Sequence, residues 1–245
     1  MTNWLLLRGL TRDQRHWGNF HDELAARLGV EVVTIDPPGF GTQNGRVSPR
    51  SISGITDDLR GRFDRGDDSW SLLGISLGGM LAMNWVHRYP EDFERCVVVN
   101  TGAPAVFRPH QMQFGLMSLI AGKRFRSLDA HEAAALKLTS NRPPEQLAEL
   151  STTWAQYQRE AAPLDASVLA QVAAAATFRL PTRIPVPLLV LASKGDRLAD
   201  HHMSERIAAR FDAPLRLHPD AGHDLTLDDG PWVCDQITNW LAHAK

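Results

Sequence analysis

The stretch Trp70-Ser-Leu-Leu-Gly-Ile-Ser-Leu-Gly-Gly-Met-Leu-Ala-Met-Asn-Trp85 constrains this chain more than any other. Ser71-Leu72-Leu73 is a short apolar run of the kind that forms a buried strand, and the amphipathic segment beyond Gly78 reads as a helix ending near Arg88, just before Tyr89-Pro90. Only Gly74-Ile75-Ser76-Leu77-Gly78 separates the two. A strand that turns into a helix within so few residues presses its backbone against itself, so the positions two before and two after Ser76 must be nearly side-chain-free. Gly74 and Gly78 meet that demand and leave Ser76 projecting alone at the positive end of a helix. There the N–H of Leu77 points at any oxygen that develops negative charge beside the hydroxyl. The turn therefore predicts a nucleophile and an anion site together.

The rest of the chain supplies strands and helices in alternation. Trp4–Leu7, Glu31–Ile35, Arg95–Val99, Leu188–Ala192 and Leu215–Leu217 read as further strands; apolar residues at helical spacing (Trp17, Phe20, Leu24, Leu28; then Ile52, Ile55, Leu59, Phe63) fill the first intervals. Such alternation predicts an α/β fold, a doubly wound and mostly parallel sheet. It breaks once, between Pro104 and about Pro181, where alanine-rich helical stretches such as Leu128–Leu138 and Pro144–Glu160 follow one another without a strand. The expected organisation is a core of residues 1–103 and 182–245 with a helical lid, 104–181, inserted over the carboxyl edge of the sheet. Phe107, Phe114, Trp154 and Tyr157 of the lid are candidate walls of an apolar substrate pocket, although aromatic residues at helical spacing are individually more often core than ligand contacts.

A serine hydroxyl needs a base, and the base an orienting acid. After the strand Leu188–Ala192 comes Ser193-Lys-Gly-Asp196, and after Leu215–Leu217 comes Pro219-Asp-Ala-Gly-His223-Asp224, which puts Asp196 and His223 on neighbouring loops at one sheet edge. Of ten histidines, His223 alone sits in a small-residue turn beyond the last strand. Asp200, Asp220 and Asp224 compete with Asp196 for the acid, and the position after the preceding strand is Asn100, which removes it. The order Ser76, Asp196, His223 is the one that accompanies a nucleophile on a strand-turn-helix elbow.

These residues carry a resemblance. The Gly-Ile-Ser-Leu-Gly-Gly elbow, His87-Arg-Tyr-Pro90, Val97-Val-Val-Asn-Thr101, Gly195-Asp196 and Ala221-Gly-His223 together resemble the α/β-hydrolase superfamily over nearly the whole chain, within it the small lidded carboxylesterases. The resemblance implies Ser76 as nucleophile, Asp196 and His223 as its partners, and the backbone N–H groups of Leu77 and Leu10 as oxyanion hole. Asp36-Pro-Pro-Gly-Phe-Gly41 is similar to the family's Asp-x-Pro-Gly-x-Gly loop, a structural element. The chain departs from the pattern at Arg8-Gly9, where the family usually has His-Gly, and it opens at what the family counts as its third strand.

The implied activity is hydrolysis of a carboxylic ester or related acyl bond in a small to medium molecule. Lyase, carbon–carbon hydrolase and perhydrolase reactions use the same fold and triad, and a non-catalytic binder is a further alternative. No metal or organic cofactor is expected, since neither a Cys/His ligand spacing nor a phosphate-binding glycine loop is present. A net charge of −2 and an ordinary apolar fraction point away from nucleic acid and membrane partners. Cys96 and Cys234 read as buried apolar residues, and with no leader-like segment at the start a cytoplasmic location is expected. Between Pro104 and Leu180 there are eight basic and six acidic residues, an excess that Lys123, Arg124 and Arg126 concentrate and that would give at most a weak pull on anionic substrates.

Overall fold

The computed structural model of the 245-residue chain describes residues 2–106, 122 and 126–243. Six strands form one parallel sheet: β1 (Asn3–Leu7), β2 (Val32–Thr34), β3 (Trp70–Ile75), β4 (Arg95–Val99), β5 (Leu188–Ser193) and β6 (Leu215–His218). Their order is β2-β1-β3-β4-β5-β6, every neighbouring pair parallel. The chain winds outward from β1 to β2 and then crosses back to β3 on the other side of β1. The carboxyl ends of β1 and β3 thus flank the switch point where open α/β sheets form a crevice.

Both faces of the sheet are covered, and the alternation of side chains along each strand decides which residue goes where. Leu5, Leu7, Leu72, Cys96, Val98 and Val190 pack under α2 (Ile52–Arg62), α3 (Leu77–Arg88) and α7 (His201–Phe211). Trp4, Leu6, Leu73, Val97, Val99 and Leu191 face the other way, against α1 (Phe20–Leu28) and α9 (Gly230–His243). With both faces buried the strands are continuous apolar runs, which is why they were legible without an alternating pattern. Both cysteines are free and buried, Cys96 beneath one face and Cys234 against the other. One boundary differs from expectation. Trp17 belongs to a separate 3₁₀ turn, Gln14–Trp17, capped by the Asp13 side chain and ended by Gly18 at φ 55°, so α1 starts only at Phe20.

Between β4 and β5 lie α4 (Leu128–Thr139), α5 (Pro144–Glu160) and α6 (Asp165–Ala176). Their polar contacts go to loops at the carboxyl edge: Arg12 to Glu132 on α4, the Thr11 amide to Gln171 on α6, the Ser48 amide to Ser167 on α6, and the Asp224 amide to the Thr139 carbonyl. Asn141, between α4 and α5, donates to the carbonyls of Gly195 and Asp220. A short helix, α8 (Leu225–Asp228), follows the β6 loop. Among the described residues no helix is long and apolar enough to cross a membrane.

Candidate active site

The elbow forms as its glycines require. Ser76 stands between β3 and α3 with φ 57° and ψ −118°, a conformation that costs a non-glycine residue about 1–3 kcal/mol and persists only where its surroundings enforce it. A Cβ on Gly74 would overlap the Gly78 carbonyl, and one on Gly78 would overlap the carbonyls of Leu7 and Arg8. The turn is thus wedged between its own next turn and the end of β1. The Ser76 amide completes the ladder by donating to Val99. Leu77, as the first residue of α3, has no intrahelical acceptor for its N–H. Across the switch point, a Cβ on Gly9 would lie 3.3 Å from that of Ser76, so the loop carrying Leu10 passes directly beside the nucleophile candidate. Thr11 and Asn100, after β1 and β4, also have positive φ (60° and 45°), so backbone strain clusters around this one place.

Asp196 and His223 meet 2.7 Å apart, Oδ2 to Nδ1, with the Asp196 carboxyl fully buried. The other Asp196 oxygen accepts from the amides of Leu198 and Ala199 at 2.7 and 2.8 Å. With both oxygens held, the carboxylate fixes Nδ1–H of the imidazole and leaves Nε2 as the ring nitrogen free to take a proton. Burial by itself pushes His223 toward the neutral form, but Asp196 outweighs it, Asp224 adds to it and Arg8 opposes; the net result lies above the ordinary histidine value. Ser76, His223, Leu10 and Leu77 all line one cavity of about 370 Å³ whose remaining wall is largely apolar, from Ile75, Met80, Ala135, Leu198 and Met203.

Two of the three competing acids are engaged elsewhere. Asp200 caps α7, accepting from the His202 amide and ring. Asp224 is buried in a bidentate pair with Arg8, Oδ1 to Nη1 at 3.0 Å and Oδ2 to Nη2 at 2.5 Å, which holds its carboxyl below the usual range against the opposing effect of burial. This is what stands where the family usually has histidine: Arg8 ties the loop after β1 to the loop of His223, its guanidinium lying 4.7 Å from the centre of the Trp17 ring. Asn100 was read from sequence only as a missing acid. Its Oδ1 accepts from the Ser193 amide while its Nδ2 donates to the carbonyls of Gly222 and His223, clamping β5 to the histidine loop. Its place directly after a buried strand was the only available signal. Asp36 accepts from the Gln14 amide and from the Thr42 amide and hydroxyl, which fits the structural part given to its loop.

The expected pocket walls fare differently. Phe107 and Phe114 lie outside the described residues, as do Lys123 and Arg124. Trp154 and Tyr157 are not in the described cavity lining. Arg12 stacks on Trp154 and Arg15 on Tyr157, at 4.6 and 4.5 Å, and both rings meet the buried His16 edge-on. Polar residues of the loop after β1 thus claim the aromatic faces that were expected to line the pocket, and small residues, Ala135 and Ala175, take that place. One group of potential metal ligands is present among the described residues: atoms of Asp200, His201 and His202 fall within 4.8 Å of one another. It is a partly exposed helix start whose carboxylate already serves as the cap.

A 2-hydroxy-6-oxo-6-phenylhexa-2,4-dienoate hydrolase of Burkholderia cepacia is 26% identical over 225 residues, 84% of this chain and 76% of that protein. A 2-hydroxy-6-oxononadienedioate/2-hydroxy-6-oxononatrienedioate hydrolase of Burkholderia vietnamiensis is 30% identical over 117 residues; that match covers 43% of this chain and 38% of the relative. The enol-lactonase of Burkholderia xenovorans superposes with a TM-score of 0.74 at 20% identity, covering 98% of this chain and 91% of the other, a likeness of fold. The profile of the alpha/beta hydrolase family matches residues 4–236, and with the sheet order and elbow described above it shows that the chain belongs to that family.

Proposed function

We propose that this hydrolase cleaves a carboxylic ester or a closely related acyl bond through an acyl-enzyme on Ser76. The observation that carries the reading is the buried Asp196–His223 contact opening onto the same cavity as the strained Ser76. In this mechanism His223 Nε2 takes the Ser76 proton as Oγ attacks the acyl carbon, then returns it to the leaving oxygen. Water repeats the cycle to release the acid. The amides of Leu10 and Leu77 hold the oxyanion, and Asp196 keeps the imidazole in the productive tautomer and stabilises it when charged. The helices α4, α5 and α6 serve as the lid of the apolar chamber.

A second reading draws on the curated relatives, two of which are named as hydrolases of dienoate or dienedioate compounds. The same three residues would then cleave a carbon–carbon bond. A turnover panel of acyl esters, lactones and vinylogous 1,5-diketones separates the two, and Ser76→Ala tests both. The variant should lose fluorophosphonate labelling and lower kcat by roughly 10⁶-fold. Asp196→Asn should lower kcat strongly as well, by roughly 10⁴-fold, while Asp200→Asn, which keeps an oxygen to cap α7, should leave it within about twofold. Ready turnover by Ser76→Ala, or greater damage from Asp200→Asn than from Asp196→Asn, overturns the assignment.

A further inference from the structure

Two arginines, Arg8 and Arg12 on the loop after β1, are among the residues that line the cavity. A cation in such a place ordinarily marks a site for a substrate carboxylate. Here both cations are already matched. Arg8 is held bidentately by Asp224 and Arg12 by Glu132 at 2.7 Å, and both carboxylates are buried, with side-chain exposures of 7% and 3%. An indole covers each guanidinium, Trp17 for Arg8 and Trp154 for Arg12.

We propose that this cavity takes an uncharged acyl group, and that Asp224 and Glu132 act as built-in counter-ions excluding substrates that carry a carboxylate on the acyl chain. The inference rests on the reading of the cavity as the acyl pocket. Among the described lining residues the ionisable ones are Arg8, Arg12, His223 and Asp224. Each has a partner of opposite charge or the capacity for one, since His223 faces Asp196. An entering carboxylate has two options. It can lie uncompensated against Met80, Leu198 and Met203, or it can displace an internal carboxylate that has no water to retreat to. Burial works against the charged form of Asp224 and Glu132, yet the adjoining arginine holds each below the usual carboxylate range, so both remain ionised as counter-ions.

The test separates binding from chemistry. In Ser76→Ala protein at pH 7.5, calorimetry compares 2-heptanone with 6-oxoheptanoate, which differ by a terminal carboxylate. The ketone should bind at least about tenfold more tightly. Glu132→Gln in that background releases Arg12 and should strengthen 6-oxoheptanoate by about tenfold while leaving 2-heptanone unchanged. Should Glu132→Gln fail to fold, Arg12→Leu with Glu132→Leu removes both charges and should preserve the preference for the ketone. Equal or tighter binding of 6-oxoheptanoate by the parent overturns the proposal. So does a Glu132→Gln protein whose affinities do not move, a double-leucine variant that favours the acid, or a ketone that does not bind at all. Ester turnover by the wild type, measured separately, stands or falls independently: activity with a preference for anionic esters would sink this inference and keep the acyl-hydrolase reading, whereas neutral-selective binding without turnover or serine labelling would do the reverse.

Discussion

Replacing Asp224 by asparagine should be among the most damaging single-atom-scale changes in this chain. The Arg8–Asp224 pair joins two loops 216 residues apart in sequence, and its side chains are only 4% and 7% exposed. Asp224→Asn leaves the Arg8 charge buried with half a partner. Breaking a buried pair from one side costs about 3–5 kcal/mol, a large part of a total stability of about 5–15 kcal/mol. For a chain of this size each kcal/mol moves Tm by about 2–4 °C, so a drop of roughly 6–20 °C is expected. Urea titration followed by tryptophan fluorescence gives the free energy, with an unchanged m-value confirming that the same surface unfolds. Asp129→Asn is the control: its partner Arg159 and Asp129 itself are 42% and 50% exposed, and the loss should stay below about 1 kcal/mol. Arg8→Met combined with Asp224→Leu should recover much of the stability that either change alone removes, since no uncompensated charge remains. The sign with pH is also fixed. Asp224 titrates lower in the folded chain than in the unfolded one, so the stability from this pair is present above about pH 3.9 and is lost as pH falls through the folded value. If Asp224→Asn costs less than about 1 kcal/mol, the reasoning from burial and bidentate geometry is refuted.

The pH dependence of kcat/KM should rise through a single group whose midpoint lies above about 6.5, because the base must be neutral and Asp196 raises His223 beyond its reference value. A midpoint below that value would contradict the electrostatic environment described. The same shift means that the stabilisation of folded protein by protonated His223 is full below about pH 6.5 and fades as pH rises through the raised value. Gly78→Ala should yield insoluble protein or lose more than about 3 kcal/mol, since its Cβ meets the backbone of β1 rather than a side chain that could move. Gly61→Ala, inside α2 with open space around it, should instead gain up to about 1 kcal/mol in the same denaturation assay.

What the sequence determined by itself is local. Gly74 acts on backbone only four residues away, at Gly78, so the tight strand-to-helix turn was legible from local sterics, whereas the crowding that requires Gly78 comes from Leu7 and Arg8 at the end of β1; runs such as Val97–Val99 and Leu188–Ala192 declared buried strands because both their faces needed covering. The loops of Asp196 and His223 followed from the strands before them. Which aspartate meets His223 did not, because Asp196 reaches the ring with one oxygen while its other accepts from its own following amides, Asp200 caps a helix and Asp224 answers an arginine from the other end of the chain. Arg8 and Asn100 were legible as residue types without a task; their partners are brought within reach only when β1, β4 and β6 take their separate places in one sheet, with their carboxyl-end loops on the same edge. Trp154 and Tyr157 are the converse case. Their helix was foreseen to its ends, but which face of it a cavity would occupy depended on Arg12, Arg15 and His16 arriving from a loop more than a hundred residues earlier. Periodicity and local sterics fix elements and turns, whereas the pairing of charges is settled by distance in space, which only the closed fold defines.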